Sequence, residues 1–417
     1  MSKFLKSLLF AGFAVLFIAC GESKNENSAA TQNAPQTQQG EHSQHNHAMH
    51  GEHAAQNSQH GQNAQNSANH AQGNHAGHSM PDHAAHAAAG YPGANHSNHA
   101  HAIDISKIDT SPKYKDGKKI LRVFGTNPRL TLLLELLYPE GMIGLNYPPY
   151  PEDKEFMPEN VALLPVLGGM QRLNFETLVS LKPDLVIFMR EMDDAFIEPY
   201  QKLGIRTLKV SADFADVEET LPILGEALGV SERAQKLLKF HQKHKARLAE
   251  LRAKVAKKPR IYFAYGFEGK LTECVSEGQT DDPATMMGAE NVIKCPQNRI
   301  SPRDGYPTNF EIVMAQNPEV IFVREIGLYK ELLEKPSGEW AKLAAVQNKR
   351  LIYAPSSPSN WVTRPPTAMR IIGYPWAFAK LHPDLLSEAE AKKIAQEFFA
   401  QFLRPLSDEA YKRLEAR

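Results

Sequence analysis

Asn174-Phe175-Glu176 opens the stretch NFETLVSLKPDLVIF, and Asn309-Phe310-Glu311 opens a second, NFEIVMAQNPEVIFV. Asn, Phe and Glu coincide, and so does a proline nine positions on (Pro183, Pro318), followed by an acid and an apolar run. Each copy reads as an N-cap Asn, a short helix, a Pro stop and a buried strand. Between the copies, Ser231–Val255 contains no Gly or Pro and is rich in Ala, Leu, Lys, Arg and Glu. That composition predicts one long helix, with Ser231 and Glu232 at its start. The repeat therefore predicts two similar Rossmann-like α/β lobes joined by one long rigid helix.

The alternation of strand and helix extends outward on both sides. Strands are predicted at Lys118–Gly125, Asp184–Met189, Ile205–Val210, Arg260–Phe267, Val320–Val323 and Arg350–Ala354. Helices are predicted from Asn127-Pro128 to Leu137, and over Ala195–Leu203, Val217–Leu228, Ile312–Ala315, Thr367–Leu381 and Ser387–Phe402. The resulting partition is a leader over 1–19, a tether over 20–104, a first lobe over 105–230, the helix over 231–257 and a second lobe over 258–417.

Lys3 and Lys6 precede a short apolar run that ends at Phe17-Ile18-Ala19-Cys20. A charged start and a short apolar core predict an export signal rather than a membrane span. The last four residues resemble a bacterial lipobox, with Phe17 standing where Leu is usual. The expectation is a protein lipidated on Cys20 and held outside the cytoplasm on a bacterial membrane. In an oxidising compartment Cys274 and Cys295 are either a disulfide or two free thiols; their separation does not decide.

Of 17 histidines, 14 lie between His42 and His101. The surrounding chain is Gln, Asn, Ala, Ser and Gly, with too few large apolar side chains to offset the entropy cost of ordering, so disorder is expected. Imidazoles at His42, His45, His47, His50, His53, His96, His99 and His101 suit weak multivalent capture of Ni, Zn, Co or Cu. The competing reading is a solvated spacer. Formal net charge is zero over the 417 residues, which gives no footing for nucleic-acid binding. The chain has no G-x-S-x-G, P-loop or H-E-x-x-H, so no enzymatic motif points to catalysis.

In order and spacing, GGMQRLNFETLVSLKPDLVIF from Gly168, the long helix, the second NFE and NWVTRPPTAMRIIGYPWAFAKLHP from Asn360 resemble one family. It comprises the extracytoplasmic substrate-binding proteins of ABC importers for metal chelates: ferric siderophores, haem, vitamin B12 and related complexes. The resemblance spans roughly 118–403 and implies the class III periplasmic-binding-protein fold, a small hinge motion, a monomer, no cofactor of its own and no catalysis. It implies a permease dimer with its ATPase as partner, docked through Glu176 in one lobe and Glu311 in the other. It places cargo in the cleft, near Tyr147, Tyr150 and Met170 in the first lobe and Phe267, Tyr306, Trp361, Arg364 and Arg370 in the second. Met170 stands where corrinoid binders carry an aromatic residue, which argues against corrinoid cargo. The alternatives are a nickel or cobalt chelate or a corrinoid in the same fold, or a metal-storing surface lipoprotein whose tether does the binding. On residue type alone, Tyr147 to Tyr150 also fits a surface loop, Trp361 a core position and Arg370 helix packing.

Overall fold

The computed structural model describes residues 106, 108, 110–111, 114–115, 117–169, 173–276, 282–295 and 305–415. The leader, Cys20 and the histidine-rich tether lie outside them.

Two parallel sheets organise the chain. In the first lobe, strands Val123–Gly125, Leu185–Met189 and Arg206–Val210 lie side by side in that order. In the second, the order is Leu351–Ile352, Val320–Val323, Arg260–Ala264 and Glu290–Asn291. Crossover connections demand the intervening helices, which cover the sheet faces with apolar side chains.

The two copies of the repeat build the same object. Asn174 caps the Phe175–Ser180 helix by accepting from Thr177 N–H at 2.9 Å, and Asn309 caps Phe310–Gln316 by accepting from Ile312 N–H at 2.9 Å. After the proline, the acid reaches back to the adjoining strand. Asp184 accepts from Arg122 N–H (2.8 Å) and Lys119 Nζ (3.2 Å); Glu319 accepts from Arg260 N–H (2.9 Å) and Lys257 Nζ (2.6 Å). The arginines bond equivalent carbonyls, Arg122 to Leu181 and Arg260 to Gln316. Strand register is also repeated, with Val123 opposite Leu185 and Ile261 opposite Val320. Lys-x-x-Arg at the start of each strand thus belongs to the repeat, although the sequence reading did not include it.

Those side-chain bonds also shorten the strands. Leu121 N–H goes to Tyr138 Oη at 3.0 Å and Arg122 N–H to Asp184, so the run predicted from Lys118 joins the parallel sheet only at Val123. Lys118–Lys119 pairs instead with Tyr114–Lys115 in an antiparallel hairpin. The Arg260 strand stops at Ala264 rather than Phe267, because Tyr265 N–H bonds Leu271 O at 2.7 Å and starts a tight loop.

The lobe-spanning helix runs Ser231–Arg252, 22 residues and about 33 Å at 1.5 Å per residue. It ends short of the predicted 257 because the chain turns toward Arg260, where Glu319 holds both Lys257 and the Arg260 backbone. The Val217–Leu228 helix of the first lobe and the Arg370–Leu381 helix of the second both pack on it. Gly225 permits the closer of these approaches, since a Cβ there would sit 2.6 Å from Ala234 Cβ. Arg233 bonds Leu136 O (2.6 Å) in one lobe and Phe402 O (2.9 Å) in the other, satisfying carbonyls at two helix ends. One continuous apolar core, including Leu130, Leu221, Leu237, Phe240, Ile261 and Phe378, runs through this helix.

His241 and His244 are buried on the helix. The His241 ring meets Phe214 edge-on at 5.5 Å, and its Nε2 lies 3.5 Å from Glu218. Burial lowers its pKa to about 4, with the Glu218 carboxylate opposing and Lys245 and His244 adding to the drop. In the unfolded chain the same imidazole takes a proton near pH 6.5. Its contribution is therefore intact above pH 6.5 and falls as pH drops toward 4, by about 3 kcal/mol in total. Urea midpoints compared at pH 7.5 and 4.5 should show this loss, and His241→Gln should flatten it. An acid limb of unchanged slope in the variant would assign the loss to other groups.

Candidate functional site

In open parallel sheets, ligands bind beyond the carboxyl ends of the strands. In the second lobe the residues immediately after three adjacent strands are Tyr265, Arg324 and Tyr353. Tyr265 is fully buried, and burial holds its phenol pKa well above the ordinary value. It forms a floor on which the Arg324 guanidinium rests, 5.7 Å from the ring centroid. Arg324 Nε stands 3.9 Å from Glu325 Oε1, beyond hydrogen-bonding range. Burial raises the Glu325 pKa, with Arg324 opposing, and its Oε2 has no hydrogen-bond partner. Tyr353 is partly exposed and stacks at a tilt on Tyr329 (5.6 Å).

The first lobe contributes the loop 147–153. Asn146 anchors it, donating to Gly125 O (3.0 Å) and Gly168 O (3.3 Å) and accepting from Thr131 Oγ1. Tyr150 is 39% exposed. Its phenol pKa is raised, first by partial burial, then by Asp153 and by Tyr353 across the lobe boundary; Arg324, also across it, pulls the other way. Tyr150 thus lies within electrostatic reach of two strand-end residues of the second lobe. Beneath it, Ser357 Oγ donates to the buried Asp153 and ties the two lobes together. Glu135 is buried nearby, and burial plus the Asp153 charge push its pKa up to about 8, which keeps it protonated at neutral pH.

The residues named from sequence divide. Tyr147 is partly exposed and Phe267 is 56% exposed on the loop after Ala264, both at the strand-end face. Trp361 is not on a cleft wall. It is fully buried, donates to Ser357 O at 3.0 Å and packs against Trp376 and Phe399. Arg370 is also corrected: its guanidinium donates inward to Val362 O (3.0 Å) and Thr363 O (3.1 Å). Tyr306 is buried, paired in register with Thr272. Arg364 binds the chain's own Glu273, through Nε at 2.6 Å and Nη2 at 2.9 Å, and Glu273 in turn accepts from the strand-end Tyr265 Oη at 3.4 Å. Met170 lies outside the described residues. Cys274 and Cys295 are bonded, with Cα atoms 4.9 Å apart. Glu176 and Glu311 are exposed on the first turns of their matching helices.

Sequence reasoning missed Arg324, Tyr353, Glu273 and Arg129. Arg324, Tyr353 and Glu273 each follow the last residue of a strand, and Arg129 lies in the first turn of the Pro128–Leu137 helix, a placement available only once the elements are located. Arg129 pairs with Asp213 and touches Met189 Sδ at 3.4 Å, bringing together residues at or just beyond all three strands of the first lobe. A hollow of about 470 Å³ lined by Leu185, Gln201, Gly204, Arg206 and Thr207 lies at the opposite, amino end of that sheet and takes no part in this site.

Two parallel-sheet lobes pack on one long helix, with aromatic and cationic groups at the strand ends of the second. The chain belongs to the periplasmic binding protein family, which matches residues 142–358. It is 25% identical over 254 residues to the Bacillus subtilis (strain 168) ABC transporter substrate-binding lipoprotein YvrC, covering 60% of this chain and 76% of that one. It is 22% identical over 237 residues to the high-affinity heme uptake system protein IsdE of Staphylococcus aureus (strain MRSA252), covering 55% and 77%. An ABC transporter solute binding protein from Sulfurospirillum deleyianum superposes with a TM-score of 0.62 at 28% identity, covering 72% of this chain and 97% of that one. The chain is accordingly a substrate-binding component of an ABC importer.

Proposed function

We propose that this protein captures a metal chelate, of the haem or ferric-siderophore kind, between its lobes and delivers it to a membrane permease. The observation that carries the reading is the electrostatic reach of the exposed Tyr150 of the first lobe to Arg324 and Tyr353 at strand ends of the second, where Phe267 is also exposed on the loop after Ala264. Rigid aromatic rings offer contact area to a macrocycle or catecholate at little entropic cost, and a guanidinium suits its anionic edge. Similarity to a heme uptake protein points the same way. In this reading Cys20 carries the lipid anchor, Glu176 and Glu311 dock the permease, and the long helix restricts opening to a small hinge.

The full chain should be titrated with ferric siderophores, haem, cobalamin and free metal ions, followed by absorbance and equilibrium dialysis. One chelate should saturate at one equivalent, and Tyr150→Ala should weaken it about tenfold. Absence of chelate binding, or indifference of the bound chelate to both Tyr150→Ala and Arg324→Ala, would overturn the assignment.

The 14 tether histidines favour a second activity, capture of Ni, Zn, Co or Cu ions by the tether itself. Ion binding that disappears when these histidines become serine, with chelate binding intact, is the expected pattern. Ion binding with no chelate binding would shift the function to metal storage.

A further inference from the structure

Glu273 sits between a short strand and a crosslink. It follows Leu271–Thr272 and precedes Cys274, which is bonded to Cys295. Its carbonyl accepts from Asn291 Nδ2 and Thr272 Oγ1, both at 3.0 Å. The partner loop is equally constrained: Asn360 Oδ1 accepts from Val362 N–H (2.9 Å) and Thr363 N–H (2.6 Å), and Arg370 holds the carbonyls of the same two residues. Across this frame Glu273 grips Arg364 bidentately and also accepts from Tyr265 Oη at 3.4 Å.

Both side chains are largely withdrawn from water, with 14% of Arg364 and 13% of Glu273 exposed. By contrast, the Arg129–Asp213 pair of the first lobe leaves 64% of its acidic side chain exposed. Exposed pairs are screened and weak, whereas a dry, two-pronged pair between fixed backbones is specific and strong. Arg364 is the arginine that residue type nominates for an anionic cargo, yet its guanidinium edge is already filled. An incoming anion that takes that edge leaves a desolvated carboxylate unpaired beside a second negative charge, an outcome much costlier than leaving the pair intact. A neutral complex meets no such opposition.

We propose that Glu273 is a specificity-determining residue: it masks Arg364 and biases the cleft toward complexes of low net charge and against polyanionic ones. This rests on the chelate-binding reading and narrows its substrate class. The disulfide and Arg370 act as positioning elements for the two halves of the mask.

The test compares two iron complexes on the full chain, a trianionic ferric tris-catecholate and a neutral ferric trihydroxamate. Wild type should prefer the neutral complex. Glu273→Gln, nearly isosteric, should raise the trianion affinity at least tenfold relative to the neutral complex, while Glu273→Asp should retain most of the wild-type ratio. In the double variant Glu273→Gln with Arg364→Gln the gain should vanish, with trianion affinity no lower than wild type. Thermal melts check that each variant folds, and the double variant carries the test if the single one does not. A wild-type preference for the trianion, an unchanged ratio in Glu273→Gln, or a trianion affinity tenfold below wild type in the double variant overturns the mask and leaves the chelate reading standing. Failure of both complexes and haem to bind wild type or variant removes the chelate reading and the mask with it.

Discussion

Replacing Glu176 and Glu311 together by alanine is expected to lower uptake at least a hundredfold while cargo affinity stays within about twofold of wild type. Both carboxylates are exposed, and both sit two residues beyond an Asn cap in matching helices. The helix dipole alone favours an acid there, and that effect is worth only a few tenths of a kcal/mol to about 1 kcal/mol of stability. Docking makes a different demand. Two charge-assisted contacts, one per lobe, fix both the attachment and the orientation of a bilobed protein, so each single variant should fall between wild type and the double variant. Uptake in cells carrying the cognate permease, set beside titration of the isolated variant, separates the alternatives. Loss of cargo affinity in the double variant would move these residues out of the docking role.

Gly373→Ala should destabilise the fold by about 3 kcal/mol or more, enough to threaten folding altogether. A Cβ at this position would lie 1.7 Å from the Trp361 carbonyl oxygen and 2.4 Å from its carbonyl carbon. Backbone, not a flexible side chain, blocks the space. Nor can Trp361 retreat, since its indole is fully buried against Trp376 and Phe399 and tied to Ser357. Gly327, in the Ile326–Glu334 helix, is the control. Beyond the helix's own backbone and its chain neighbours, nothing lies within 4 Å of its added Cβ, so Gly327→Ala should be neutral or stabilise by about 0.5 kcal/mol. Urea midpoints for the two variants, measured side by side, decide the matter: equal shifts would mean that the Trp361 contact is softer than its geometry indicates.

The lobed architecture was legible because helix caps, proline stops and apolar runs are local signals, and they occur twice. Asn174 and Asn309 could be matched by eye, and their bonds proved equivalent. Bonds between distant residues were not legible. Nothing in the neighbourhood of Arg364 announces that its partner is Glu273, 91 positions away. The resemblance set Trp361 and Arg370 near cargo, and residue type could not overrule it, because interfaces and cores draw on the same aromatic and guanidinium side chains and only burial distinguishes them. Arg324 and Tyr353 escaped notice for the converse reason. They look ordinary until the ends of their strands are known.

Arg324 and Tyr353 come one residue after the last paired positions of their strands, and Tyr150 lies on a loop whose anchor is Asn146. All three follow the elements that carry the sheet register, and Tyr353 adds one ring contact to Tyr329 of the Ile326–Glu334 helix. Exchanging their side chains is expected to cost less stability than changing the buried strand residues that precede them. Redesign of the specificity can thus proceed on a scaffold whose thermal tolerance is set elsewhere, with a small library at these three positions and a crosslinked, helix-braced frame held constant.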